Sequence, residues 1–152
     1  MRRSLVFTAL GAAAAFGTYA LWPRSTSPEA QVRAAMAEME RGLGARDVGA
    51  VLAPVSEQFH SSTLGDQADV RRLVLSEVLR GGGVRVVTLQ SEVLPEADGR
   101  LRWRGRVAGA RAGGAGLAAV TDAELRQFSV EALFANEGGT WRVVEATLHP
   151  LD

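Results

Sequence analysis

Two histidines are the residues best suited to proton transfer, because an imidazole changes its charge near neutral pH. His60 follows Phe59 near the predicted end of a helix, and His149 precedes Pro150 close to the C-terminus. We interpret His60 as a candidate general base, with an exposed loop histidine as the alternative. Two histidines without a spaced partner do not make a metal site, and the chain contains no cysteine. The sequence therefore predicts neither a metal nor a cofactor.

A histidine that moves protons in an enzyme commonly works beside a carboxylate. Glu131 lies in a predicted strand, and Asp66 stands where a helix is predicted to begin. The candidate catalytic residues are therefore His60, Glu131 and Asp66.

Four arginines at alternate positions make the strongest local pattern in the chain. In a strand they project from one face of the sheet, and the residues between them project from the other. One interpretation is a basic surface for anionic ligands, lipid headgroups or a partner's acidic residues, with Arg102 and Arg104 as binding residues. The alternative is an exposed face paired across strands with carboxylates such as Glu92, Glu131 and Glu145. The four residues are Arg100, Arg102, Arg104 and Arg106.

Large aromatic residues are candidates both for the core and for ligand contact. Trp103 and Trp141 are predicted to pack in the core or against the sheet, and a ligand cage is the alternative. Trp103 and Phe59 are the aromatic members of the candidate binding set. The glycine-rich run Gly113–Gly116 is no phosphate loop, because it lacks the Lys-Ser/Thr pair that such a loop requires.

The charge balance excludes one class of partner. All 17 basic residues are arginines, and 17 acidic residues balance them. From Ser25 onward, 14 arginines stand against 17 acidic residues, a net charge of −3. Non-specific nucleic-acid binding usually needs a basic domain, so we predict no nucleic-acid partner.

An uncharged run of 18 residues, Leu5–Trp22, follows Arg2 and Arg3. As a helix it would span about 27 Å, close to the apolar thickness of a bilayer. Arginines before the run keep that end in the cytoplasm. We predict a single-pass anchor in a bacterial inner membrane with the C-terminal domain in the periplasm. The alternative is a cleaved signal peptide and a secreted periplasmic domain.

The predicted domain organisation follows from this segment. It consists of an anchor or signal at 1–24, a linker at 25–27, an α+β domain at 28–149 and a tail at 150–152.

Apolar residues recur at three- and four-residue steps before Gly81–Gly83 and at every second residue after it. The first part predicts three helices, which begin at Pro28, after the cap Asp47, and at Asp66 or Asp69. In the second of these, Val55 is predicted to point inward. Phe59 is predicted to pack the first two helices onto the core. The second part predicts strands over 84–94, 101–107, 128–136 and 140–148, with a loop over 108–119 and a helical turn at 121–124. The fold class is α+β, with an N-terminal hydrophobic helix and three helices packed on a curved antiparallel sheet of four or more strands.

Three segments resemble the nuclear transport factor 2-like superfamily, which includes ketosteroid isomerase, scytalone dehydratase and polyketide cyclases. They are the turn Gly44–Leu52, the helix start Asp69–Leu73, and the pair Phe128–Phe134 with Gly138–Val144. The resemblance covers about Pro28 to His149 and implies a cone-shaped fold. The catalytic tyrosines of these enzymes have no counterpart here, since the single tyrosine, Tyr19, lies in the apolar segment.

Two functional hypotheses follow, and the sequence favours the first, a non-catalytic one. It is a membrane-tethered periplasmic module that binds an envelope-protein partner or a small apolar ligand, with a homodimer through the sheet as one form. The second is a small proton-transfer enzyme of the isomerase, dehydratase or cyclase type, which uses His60 in the cone cavity with Glu131 or Asp66. A wide apolar pocket in which His60 and a carboxylate converge would favour the enzyme, and a cavity filled by Phe59, Trp103 and Phe134 would rule it out.

Overall fold

The computed structural model describes residues 27–80, 84–111 and 125–151. The described residues form three helices and six strands. In chain order these are α1 (Pro28–Ala45), α2 (Val48–Leu52), β1 (Val55–Ser61), β2 (Gly65–Asp66), α3 (Gln67–Leu79), β3 (Val84–Pro95), β4 (Leu101–Arg111), β5 (Leu125–Glu137) and β6 (Thr140–Leu151).

Several predicted features lie outside the described residues. They are the hydrophobic segment at 5–22, the triple glycine at 81–83, and most of the loop and helical turn predicted between 108 and 124. Within the described ranges, no helix is both long enough and apolar enough to cross a membrane.

Helix α1 begins where the sequence predicts, because Ser27 caps it. The Ser27 hydroxyl oxygen accepts a hydrogen bond from the Ala30 N–H at 3.2 Å, and proline stands at the first helical position. Val32 is completely buried. The rest of the apolar stripe packs against the core, and its members are Ala35, Met36, Met39 and Leu43.

Helix α2 is shorter than predicted, and the residues after it form an additional strand. Asp47 caps α2 as expected, since its Oδ1 accepts from the Ala50 N–H at 3.0 Å. The helix ends at Leu52, and Pro54, which has no N–H to donate, follows closely. The prediction that Val55 continues the helix is therefore wrong, because Val55 begins β1.

Helix α3 starts with a reciprocal capping box. The Asp66 Oδ1 accepts from the Asp69 N–H at 2.9 Å, and the Asp69 Oδ2 accepts from the Asp66 N–H at 3.1 Å. Asp69 also pairs with Arg72. The Asp66 N–H and, after it, the Arg72 guanidinium hold the pKa of Asp69 below its ordinary value.

Asp69→Asn is therefore expected to lower the Tm at neutral pH and to have no effect in strong acid. The folded pKa lies below the ordinary value of 3.8, so the charge stabilises the protein above that value. This contribution is lost as the pH falls through the folded pKa. Thermal denaturation from pH 7 to pH 2 tests the prediction, with the exposed Glu57→Gln as control. A Tm difference that persists unchanged at pH 2 would contradict it.

The six strands form one mixed sheet in the order β2-β1-β6-β5-β4-β3. Strands β3 to β6 are antiparallel neighbours, as predicted. Strand β1 adds to this meander by pairing parallel to β6, with Val55 opposite Val143 and His60 opposite Glu145. The observed sheet thus contains the predicted four strands and two more, and β2 and β3 form its two edges.

The core lies between the helices and one face of the sheet, which we call the inner face. Phe134 and Trp103 are 0% and 1% exposed. A Cβ on Gly105 would overlap the Trp103 ring, with Cζ2 and Cζ3 at 2.6 and 2.7 Å, so glycine provides the space that the indole fills. The opposite face, which we call the outer face, carries Arg102, Arg104 and Arg106 of β4.

Candidate functional site

The structure does not bring His60 into the interior. Within β1, Phe59 is buried and the next residue, His60, is exposed. The register places His60 between Asp66 and Glu145 of the neighbouring strands. Phe59 lies in the same buried cluster as Trp103 and Phe134. By the criterion set from the sequence, this filled core argues against a His60 site inside the cone.

The other two catalytic candidates have structural partners. Asp66 belongs to the capping box of α3. Glu131 lies two strands away from His60, where its carboxylate forms ion pairs with Arg102 at 3.2 Å and Arg104 at 3.1 Å. Asp66 thus lies opposite His60 on the neighbouring strand, but Glu131 lies away from both, so the three residues do not converge on one site. His149 is exposed opposite Ser129.

The arginines of the outer face are largely paired within the chain. Arg100 pairs with Asp98 at 2.6 Å, and Arg102 pairs with Glu96 at 2.5 Å as well as with Glu131. The Glu96 carboxylate is the main reason that the pKa of Arg102 is raised. The partners thus differ from those predicted, except for Glu131. Binding of anions by Arg102 and Arg104 stays a prediction.

A different carboxylate borders a groove between α1 and β3. The Glu40 Oε2 accepts a hydrogen bond from the Thr88 hydroxyl at 2.9 Å and another from the Thr88 N–H at 3.3 Å. Thr88 lies where the register of β3 shifts against β4, between Thr88 and Gln90. At this irregularity the Thr88 N–H therefore donates to the Glu40 carboxylate of α1.

The groove has a volume of about 420 Å³ and runs along the edge of the sheet that β3 forms. This volume lies within the range of small-molecule sites. Its lining combines apolar, acidic and basic side chains, and consists of Ala37, Glu40, Arg41, Gly44, Arg85, Val86 and Val87. Val87 is 52% exposed, so the apolar wall is accessible to a ligand.

The two cations of the groove differ in their partners. Arg41 donates to Glu38 from Nε at 2.9 Å and from Nη2 at 2.5 Å, and this contact raises the pKa of Arg41. Arg85 is exposed and forms no ion pair with any residue in the described ranges. The groove therefore presents one uncompensated cation and one carboxylate.

Sequence reasoning missed Glu40. One signal was present, since Glu40 is a charged residue adjoining the apolar stripe of Met36, Met39 and Leu43 on α1. Its partner could not be identified, because the register shift at Thr88 depends on how β3 and β4 pair.

No protein-family model matches the chain, and no curated protein matches its sequence. The fold matches a candidate scytalone dehydratase from Novosphingobium aromaticivorans with a TM-score of 0.68 at 8% identity, covering 80% of this chain and 83% of that one. A candidate aromatic ring hydroxylase from the same species matches with a TM-score of 0.64 at 13% identity, covering 80% and 87%. The protein Aln2 from a Streptomyces species matches with a TM-score of 0.66 at 12% identity, covering 79% and 88%.

These matches confirm the fold that the sequence resemblance implied, the cone-shaped α+β fold of the nuclear transport factor 2-like superfamily. They also correct the first functional hypothesis, the non-catalytic membrane-tethered module. Two of the three matched proteins carry enzyme names, a candidate dehydratase and a candidate hydroxylase, and these names favour the small-enzyme alternative.

Proposed function

We propose that the chain is a small enzyme of the isomerase, dehydratase or cyclase type, which transfers a proton by means of Glu40 in the groove between α1 and β3. The observation that carries this proposal is the hydrogen-bonded Glu40–Thr88 pair beside a groove of ligand size. The name of one structural neighbour, a candidate scytalone dehydratase, supports the class of reaction.

The geometry of Glu40 suits a proton acceptor. Both hydrogen bonds from Thr88 reach Oε2, and no described residue donates a hydrogen bond to Oε1. Two bonds to one oxygen fix the carboxylate, while the other oxygen is free to take a proton from a substrate carbon. Returning that proton to another carbon is an isomerisation, and loss of a neighbouring hydroxyl as water is a dehydration.

The walls of the groove favour a compact substrate with an apolar body. Val86 and Val87 supply one side and Ala37 supplies the other. Gly44 leaves open space beside them, because a Cβ built on it meets no atom within 4 Å. A substrate of one or two rings fits a groove of this volume.

The test is proton exchange from cyclic ketones in D₂O, followed by ¹H NMR with cyclohexanone and α-tetralone. Wild-type protein is expected to accelerate exchange at the carbon next to the carbonyl. Gly44→Leu is expected to abolish the acceleration by filling the groove, without loss of stability, because glycine in a helix costs about 1 kcal/mol relative to a good helix former.

Ala45→Leu provides a matched control, since Ala45 is the next residue of α1, is exposed, and does not line the groove. Exchange no faster than in buffer for both ketones would refute the proposed function. Equal exchange by wild type and Gly44→Leu would refute the location of the site.

A further inference from the structure

We infer that the groove takes an organic acid, a one- or two-ring carboxylate whose anionic group pairs with Arg85 while its reacting carbon lies at Glu40. This inference names the substrate class of the proposed enzyme and rests on that proposed function for the role of Glu40. The binding of the anion is a separate claim, since it depends on Arg85 and on the shape of the groove.

The anion is assigned to Arg85 because the other cation in the groove is already neutralised. Glu38 binds Arg41 through two hydrogen bonds on the surface of α1. Arg85 has no such partner among residues 27–80, 84–111 and 125–151. A guanidinium presents paired N–H groups that match a carboxylate, so Arg85 can bind one through two parallel hydrogen bonds.

Because the groove lies at the sheet edge, Arg85 and Glu40 can contact the same ligand. Alternate side chains of a strand point to opposite faces, which places Arg85 and Val87 on one face and Val86 and Thr88 on the other. Arg85, Val86 and Val87 nevertheless line the same groove, because β3 is the edge strand and both faces border the opening.

Distance and charge together set the length and orientation of the ligand. Thr88 lies three residue steps beyond Arg85, which is about 10 Å along a strand. Arginine and glutamate side chains shorten that span, so a skeleton of one or two rings bridges the two groups. The negative charge of Glu40 repels a second anion, and the ligand carboxylate is therefore directed towards Arg85.

Binding is tested with naphthoate and its neutral isostere naphthamide, titrated into ¹⁵N-labelled full-length protein and followed by the amide shifts of β3. Naphthoate is expected to bind about threefold more tightly than naphthamide, since an ion pair with an exposed arginine is partly screened by water. Arg85→Gln is expected to remove this preference, and Arg85→Lys to retain part of it. Arg71→Gln is the matched control, because Arg71 is exposed on α3 away from the groove.

Equal affinities of naphthoate and naphthamide for the wild type would overturn the inference, and this comparison needs no variant that could fail to fold. A preference for naphthoate that survives in Arg85→Gln would also overturn it. Tight, Arg85-dependent naphthoate binding together with no ketone exchange would refute the proposed function and leave the anion site supported. Ketone exchange without a preference for naphthoate would refute the anion site and leave the proposed function supported.

Discussion

Trp103→Ala is expected to lower the free energy of unfolding by about 3–5 kcal/mol, the usual cost of truncating a buried aromatic residue. Trp103 is 1% exposed and lies near the start of β4, opposite Val93 on one side and Ala132 on the other. Its ring lies over Gly105. The surrounding backbone belongs to paired strands and cannot collapse into the space, so most of the cavity is expected to persist. Urea denaturation followed by circular dichroism measures the loss.

Trp141→Ala is the matched control, because Trp141 is only partly buried at the edge of the same cluster and is expected to cost less. The adjacent glycine supplies a second test. Gly105→Ala alone is expected to cost about 1–3 kcal/mol through overpacking, and to cost much less in the Trp103→Ala background. Additive costs would show that the ring does not occupy the space above Gly105.

The helix α1 and the strands β3 to β6 could be predicted because local signals agree with the final structure. Ser27 and Pro28 mark a helix start that needs no tertiary contact to be recognised. Strand β5 alternates apolar and polar residues from Phe128 to Ala132, and its partner β6 follows in the chain after a short turn. Antiparallel strands that follow each other in the chain can be recognised from their own residue pattern and from the turn between them.

Strand β1 could not be predicted, because the spacing of its apolar residues also fits a helix. Val51, Val55 and Phe59 recur at four-residue steps, which fits a helical face as well as a strand with buried ends. The deciding interaction is parallel pairing of Val55 with Val143, 88 residues further along the chain. His60 was misplaced for the same reason, since its direction depends on the strand to which Phe59 belongs.

The candidate site depended on packing of a similar long-range kind. Glu40 and Thr88 are 48 residues apart, and they meet only because α1 crosses the irregular part of β3. A register shift has no reliable signature in a single sequence. The fold was therefore more accessible to sequence reasoning than the site.

Glu40→Gln is expected to reduce ketone exchange about 10²–10⁴-fold, the usual contribution of a general base. Glutamine has nearly the same shape, and its amide oxygen can still accept the hydrogen bonds from the Thr88 hydroxyl and N–H. It cannot accept a proton at neutral pH. The variant therefore separates proton transfer from structure, and its Tm is expected to stay close to that of the wild type. Exchange rates from ¹H NMR, measured alongside thermal denaturation, test both parts.

Glu38→Gln is the matched control, because Glu38 lies two residues earlier on α1 and pairs with exposed Arg41 without lining the groove. Its exchange rate is expected to equal that of the wild type. Thr88→Val should lower the rate with Glu40 intact, since the carboxylate loses the hydroxyl bond that orients it. If Glu40→Gln keeps the wild-type rate, Glu40 has only the structural role of satisfying the Thr88 N–H, and the proton acceptor lies elsewhere. If exchange falls equally in Glu40→Gln and Glu38→Gln, the effect comes from the charge of the helix and not from a positioned base.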